Sequence, residues 1–200
     1  MPRRGVIGMN NYRSVLPSFN EKKATQTAGL ILAIYGKPIE YEKLVKLIYN
    51  INREALRGWG RPVVYDESYS LPEGLILSRT LDLAKENTSE DEGYWRAHIN
   101  RVGFNVELRD ECEDGELSDN EVVLITRVAN HYRNIDTFAM RDEHHKNFGE
   151  WKDPHLIAGA SRIRADLVEI LEKLDFAQED ISAIVSEIHE DAHIKAYLSS

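Results

Sequence analysis

Two histidine-bearing stretches carry the residue types that metal chemistry needs. His189-Glu190-Asp191-Ala192-His193 spells H-E-x-x-H. On a helix that spacing stacks two imidazoles on one face, able to hold zinc with the glutamate beside them as a general base. A zinc-dependent hydrolase using His189, Glu190 and His193 is therefore one reading. Two observations weigh against it. Ile194 to Ser200 bring no acid or further histidine to complete the ligand set, and Ile181, Ile184, Val185, Ile188 and Ala192 place both histidines at the edge of an apolar helical face, where partly exposed polar side chains are ordinary. His144, His145 and His155, with Asp142 and Glu143 adjacent, form the second stretch. Consecutive helical residues point about 100° apart, so His144 and His145 do not readily face one ion. Histidines near a helix C-terminus are also favoured by the dipole without any ligand. No nucleophile elbow, phosphate-binding loop or dinucleotide-binding glycine pattern is present. The expectation is a chain that is not an enzyme, with no cofactor and no metal.

Contact is the other chemistry on offer. Trp59, Arg61, Tyr65 and Tyr69 are the residue types that anchor protein interfaces when exposed, although the same aromatics would serve equally to close a core. They follow the stretch from Tyr41 to Pro62, around which the rest of the chain is organised. Tyr41, Leu44, Ile48, Ile51 and Ala55 recur at three- and four-residue steps and share one helical face. Val45, Leu47, Tyr49 and Leu56 widen it, which predicts a helix buried on more than one side. Lys43, Lys46, Asn50, Arg53, Glu54 and Arg57 fall mostly on other faces. Gly58 is expected to cap this helix and Pro62 forbids its continuation.

Before it, Asn20 can cap a first helix with Ala24, Ala28, Ile31, Leu32 and Tyr35 on one face, ended by Gly36. After it, Val63-Val64-Tyr65 and Tyr69 favour an extended segment, and Leu71-Pro72-Glu73-Gly74 a turn. Leu75 to Ala84 resumes helical spacing. Glu86 to Gly93 reads as an acidic surface loop. Trp95, Ile99 and Val102 fit a helix or a strand. Phe104, Val106 and Leu108 alternate with polar residues as a half-buried strand does, with Val63–Tyr65 as its expected partner. Ser118-Asp119-Asn120-Glu121 is a capping box, with Leu117 and Val122 placed for a hydrophobic staple. Asp136 caps the next helix, to about His145; Ser161 opens another, through Leu174, and Ile181 to Ala192 lie on the last.

The 200 residues suffice for one core. Their 42% hydrophobic and 30% charged residues are those of an ordinary globular protein. A net charge of −9 argues against direct nucleic-acid binding. No apolar run is long enough to cross a bilayer, and the arginine-containing first residues lack an apolar export signature. The single cysteine, Cys112, fits a reducing compartment, so the expected location is cytoplasmic.

Several segments together resemble the Panacea domain family of SocA-like antitoxins and phage-associated proteins. The resemblance is carried by Lys23-Ala24-Thr25-Gln26, by Lys43-Leu44-Val45-Lys46-Leu47-Ile48-Tyr49 with Arg53, and by Gly60-Arg61-Pro62. It continues through Glu73-Gly74-Leu75, where the family usually shows Gly-Pro-Val, and through Trp95, Leu117-Ser118-Asp119, and His145 with Trp151. It implies a mainly helical, Panacea-like domain over 20–155 and says little about the helices beyond it. The residue pattern itself gives a mainly α, compact multi-helix fold with a small β element, a lead-in over 1–19, and C-terminal helices over 156–200 packed on the same domain. The resemblance also implies an antitoxin that neutralises a cognate toxin by direct protein–protein binding, with no catalytic residues to carry over. A proteolytic adaptor is the alternative within the family, with a protease or hetero-oligomer as further partners.

Overall fold

The computed structural model describes residues 16–85 and 93–198; most of the expected lead-in and of the acidic loop at 86–93 lies outside them. Asn20 opens α1 (Glu21–Tyr35): its backbone is extended and its side chain accepts from the Lys23 amide. β1 (Ile39–Glu40) leads directly into α2 (Tyr41–Trp59). Leu44, Val45, Leu47, Ile48, Ile51 and Ala55 are all fully buried, as the breadth of the apolar surface on α2 requires. The helix runs through Gly58 and stops two residues later than expected. Gly60, at φ +74°, is the left-handed cap, its amide bonded to the Leu56 carbonyl.

The chain continues through β2 (Ser68–Leu71), β3 (Gly74–Leu77), α3 (Ser78–Ala84), α4 (Gly93–His98), β4 (Ile99–Val102), β5 (Asn105–Leu108), α5 (Asp119–His131) and α6 (Thr137–Asn147). A 3-10 turn at Pro154–Leu156, β6 (Ile163–Ala165), α7 (Leu167–Lys173) and α8 (Gln178–Leu198) complete it. The fold is thus mainly helical with a small β component. α1 packs on α5 and α4, while α2 is surrounded by β3, α5, α3, α6 and α7.

The strands form two antiparallel sheets of three, ordered β1-β5-β4 and β3-β2-β6. The expected pairing of Val63–Tyr65 with the strand at 104–108 does not occur. The Asn52 side chain clamps Val64 instead, accepting from its amide at 2.9 Å and donating to its carbonyl at 2.7 Å, so the backbone groups a neighbouring strand would use are already satisfied. β5 pairs with Ile39–Glu40 on one side and with Ile99–Val102 on the other. Pro72 and Glu73 form the hairpin turn between β2 and β3, as expected.

Leu75 to Ala84 is not one helix. Leu75–Leu77 belong to β3, and α3 begins at Ser78 because the distant Asp66 carboxylate receives the amides of Arg79 and Thr80 at 3.0 and 2.8 Å. Likewise Ser161 opens no helix. Ile163 lies in β6, and Asp166 caps α7 by accepting from the Val168 amide.

Candidate partner-binding site

One face of α2 carries a polar stripe into the interior. Lys46, Asn50 and Arg53 are 1%, 2% and 6% exposed, although their types predict outward faces. The chain from α6 to Trp151 supplies the partners of Asn50 and Arg53, while Lys46 lies 4.0 Å from Glu42 on α2 itself. Arg53 Nε donates to Glu150 Oε1 at 2.7 Å, and the Tyr49 hydroxyl donates to the same oxygen at 2.9 Å. Glu150 is fully buried. The Arg53 guanidinium also lies 4.1 Å from the centre of the Phe148 ring. Removing either member of such a pair strands a buried charge, at a cost of about 3–5 kcal/mol.

His144 is equally committed. Its Nδ1 accepts from the Leu75 amide at 3.0 Å, so the proton resides on Nε2, which donates to Asn50 Oδ1 at 2.8 Å. Burial first, and then the neighbouring Lys46 charge, hold its pKa at about 3 instead of 6.5. Burial also lowers the Lys46 pKa, and it raises that of the Tyr49 hydroxyl, where the Glu150 charge adds to the effect. Gly74, at φ +112°, allows this close approach: a β-carbon there would lie 2.9 Å from His144 Nδ1. His145 points elsewhere and stacks on Trp151 with ring centres 3.8 Å apart, while Trp151 Nε1 donates to the Leu71 carbonyl at 3.0 Å. His155 is exposed. The three histidines therefore do not converge.

Outside this network the end of α2 meets solvent. Trp59 is the last helical residue and 39% exposed, and Arg61 is exposed just beyond the Gly60 cap. Tyr65 is half-buried; burial raises its hydroxyl pKa, Asp191 adds to this, and Arg61 opposes it. Tyr69 belongs to β2, donates to Glu67 Oε2 at 2.9 Å and lies under the Arg162 guanidinium at 4.3 Å. Trp59 and Arg61 thus stand at a solvent-facing corner with Tyr65 in electrostatic reach of Arg61, whereas Tyr69 is engaged within the second sheet.

Beside the corner, an open cleft of about 530 Å³ lies between α2, α5, α6 and the end of α7. Arg57, Arg127 and Lys173 are exposed on its walls, and Asn50 and Tyr132 are buried in its lining. Arg57 bonds Glu54, and Arg127 Nη2 approaches the other oxygen of that carboxylate at 3.7 Å. Sequence reading passes over this cleft. Its signal is present nonetheless, because positions 46, 50, 53 and 57 repeat at helical spacing on an otherwise apolar helix.

On α8, His189 is half-buried while Glu190 and His193 are exposed. The buried face is taken by Ile181, Val185, Ile188 and Ala192, which leaves the histidines on its edge. Among the described residues no group of three or more His, Cys, Asp or Glu is placed to hold a metal ion, so the zinc-hydrolase reading of His189 and His193 has no support. Nor is any helix among them long and apolar enough to cross a membrane.

Comparison with known proteins gives a match to a family model. That model, described as antitoxin SocA-like, Panacea domain, covers residues 44–152, from the first turn of α2 to the loop after α6. No curated protein and no solved structure matches the chain.

Proposed function

Because the chain belongs to the SocA-like Panacea domain family of antitoxins, we propose that it neutralises a cognate toxin, the product of a neighbouring gene, by direct protein–protein contact in the cytoplasm. The family match, extending over more than half of the sequence, carries this reading. The chemistry agrees with it: Arg53 of α2 is engaged by Glu150 and the Asn50 carbonyl by His144, and the tempting histidines do not converge on a reaction centre. What remains for function is surface.

The end of α2 is the contact surface in this proposal, with Trp59 and Arg61 as anchors and Tyr65 and Tyr69 at its margin. Trp59 and Arg61 are the exposed pair among the four, and residues of these two types contribute disproportionately to interfaces. Binding there occludes the toxin's working surface.

The experiment is co-expression with the neighbouring gene. Growth rescue together with a co-purifying complex is expected. Toxicity without rescue rejects the antitoxin reading, and rescue accompanied by loss of the toxin protein instead of a stable complex identifies an adaptor for proteolysis. In the complex, Trp59→Ala and Arg61→Ala are each expected to weaken affinity about tenfold or more, equivalent to about 1.4 kcal/mol or more, with an unchanged melting temperature. Unaltered affinity in both variants removes this corner from the interface.

A further inference from the structure

The cleft between α2, α5, α6 and the end of α7 has a charge opposite to that of the molecule. The chain carries a net charge of −9, yet Arg53, Arg57, Arg127 and Lys173 all line this one depression. Arg53 is held by Glu150 in the interior. The lining carboxylates are Glu54, which Arg57 and Arg127 share, and Glu143, which lies against Tyr132, so with Lys173 three cations face two carboxylates and leave one positive charge in excess. Lys173 is exposed on the wall formed by α7.

The floor adds an observation independent of the rim. Asn50 is 2% exposed, and its Oδ1 is fixed by His144 Nε2. Its Nδ2 turns toward Tyr132, is buried, and makes no well-formed hydrogen bond. A buried N–H donor left in this condition is destabilising, and an incoming acceptor would offset that. An oriented donor on the floor and an excess positive charge at the rim both select for an anion with acceptor oxygens.

We propose that this cleft docks an acidic segment of the partner protein, seating its carboxylates against Arg57, Arg127 and Lys173 with the Asn50 amide beneath. The proposal deepens the protein-contact reading above and rests on it. A peptide segment suits the site better than nucleic acid does: the depression holds a few side chains, and beyond its rim an extended polyanion would meet the negative field of the rest of the molecule.

The test uses the full chain and a fluorescein-labelled peptide of alternating Glu and Leu, followed by anisotropy at about 0.15 M salt, where exposed charges separated by more than a Debye length are screened. Saturable binding is expected, falling about tenfold or more in Arg127→Glu/Lys173→Glu. A displaced pair with the same charge change, Lys37→Glu/Arg109→Glu, is expected to bind within about twofold of the parent chain. Absence of saturable binding, or equal loss in the two pairs, overturns the proposal. So does displacement of the peptide by an equal concentration of inorganic phosphate, which would mark a small-anion site. Co-purification of the neighbouring gene's product is scored separately. Its failure while the peptide still binds rejects the antitoxin reading and leaves the cleft assignment standing.

Discussion

His144 is held neutral by two bonds that fix its tautomer, and protonation of Nδ1 would set a second donor against the Leu75 amide. Its pKa is depressed in the fold, to about 3 from 6.5. The resulting stabilisation is therefore complete above pH 6.5 and is lost as pH falls toward the folded value, because only the unfolded chain takes up the proton across that window. The loss amounts to about 1.4 kcal/mol per pH unit, or about 2 kcal/mol by pH 5. His144→Gln keeps an acceptor and a donor but cannot titrate. Between about pH 7.5 and pH 5 the parent chain is expected to lose about 2 kcal/mol more than this variant in urea unfolding. Equal losses would show that the imidazole is not kept neutral. None of this was legible from local pattern. Two adjacent histidines near a helix end look like dipole partners, and only the approach of β3, permitted by Gly74, turns one of them into a buried acceptor. Asn50 and Arg53 escaped for the same reason, since their partners, His144 and Glu150, lie about a hundred positions away.

Helix α2 offers two glycines near its end, and they respond to substitution in opposite senses. Gly58 has ordinary helical angles and open space around its α-carbon, so Gly58→Ala is expected to stabilise by about 0.5–1 kcal/mol. Gly60 sits at φ +74°, and a β-carbon there would lie 3.0 Å from Ile184 of α8. Gly60→Ala is expected to destabilise by about 1–2 kcal/mol from the left-handed conformation alone, with the Ile184 contact adding to it. Chemical denaturation of the two variants checks both signs, and a destabilising Gly58→Ala would return the cap to the earlier glycine. Helix starts were the most legible feature of this sequence. Asn20, Ser118 with Glu121, and Asp136 each bond an amide three residues on, so the whole interaction is contained in a short window. Strand pairing and the start of α3 were not legible. Asp66 caps from more than ten residues upstream, and Asn52 satisfies Val64 before any strand can. The exposed corner at Trp59 and Arg61 was legible only as residue types, and the cleft beside it as a polar period within an apolar helix.

At the scale of the molecule, the region matched by the family and the unit that folds need not coincide. Residues 44–152 contain α2 through α6 but omit α1, whose Ala24, Ala28 and Ile31 are fully buried and whose Leu32 and Tyr35 are nearly so. They also omit β1, which borders β5, and β6, which borders β2, so both sheets would lose an edge strand and expose unpaired backbone. On the α7 side, Leu171 is fully buried and Ile170 almost so. Each large apolar side chain returned to water forfeits about 1.5–3 kcal/mol. Ile31, Leu32, Ile170 and Leu171 alone therefore remove an amount comparable to the entire stability of a typical domain, about 5–15 kcal/mol. A fragment spanning 44–152 is expected to show no cooperative thermal transition and poorly dispersed amide resonances, while residues 16–198 unfold in a single transition. A cooperatively folded fragment would mean that α1, β6 and α7 are appendages to a self-sufficient core, and the C-terminal helices could then be exchanged between antitoxins without cost to the fold. The expected outcome instead ties the proposed docking cleft to the whole chain, because the lysine on its wall comes from α7, beyond the matched region.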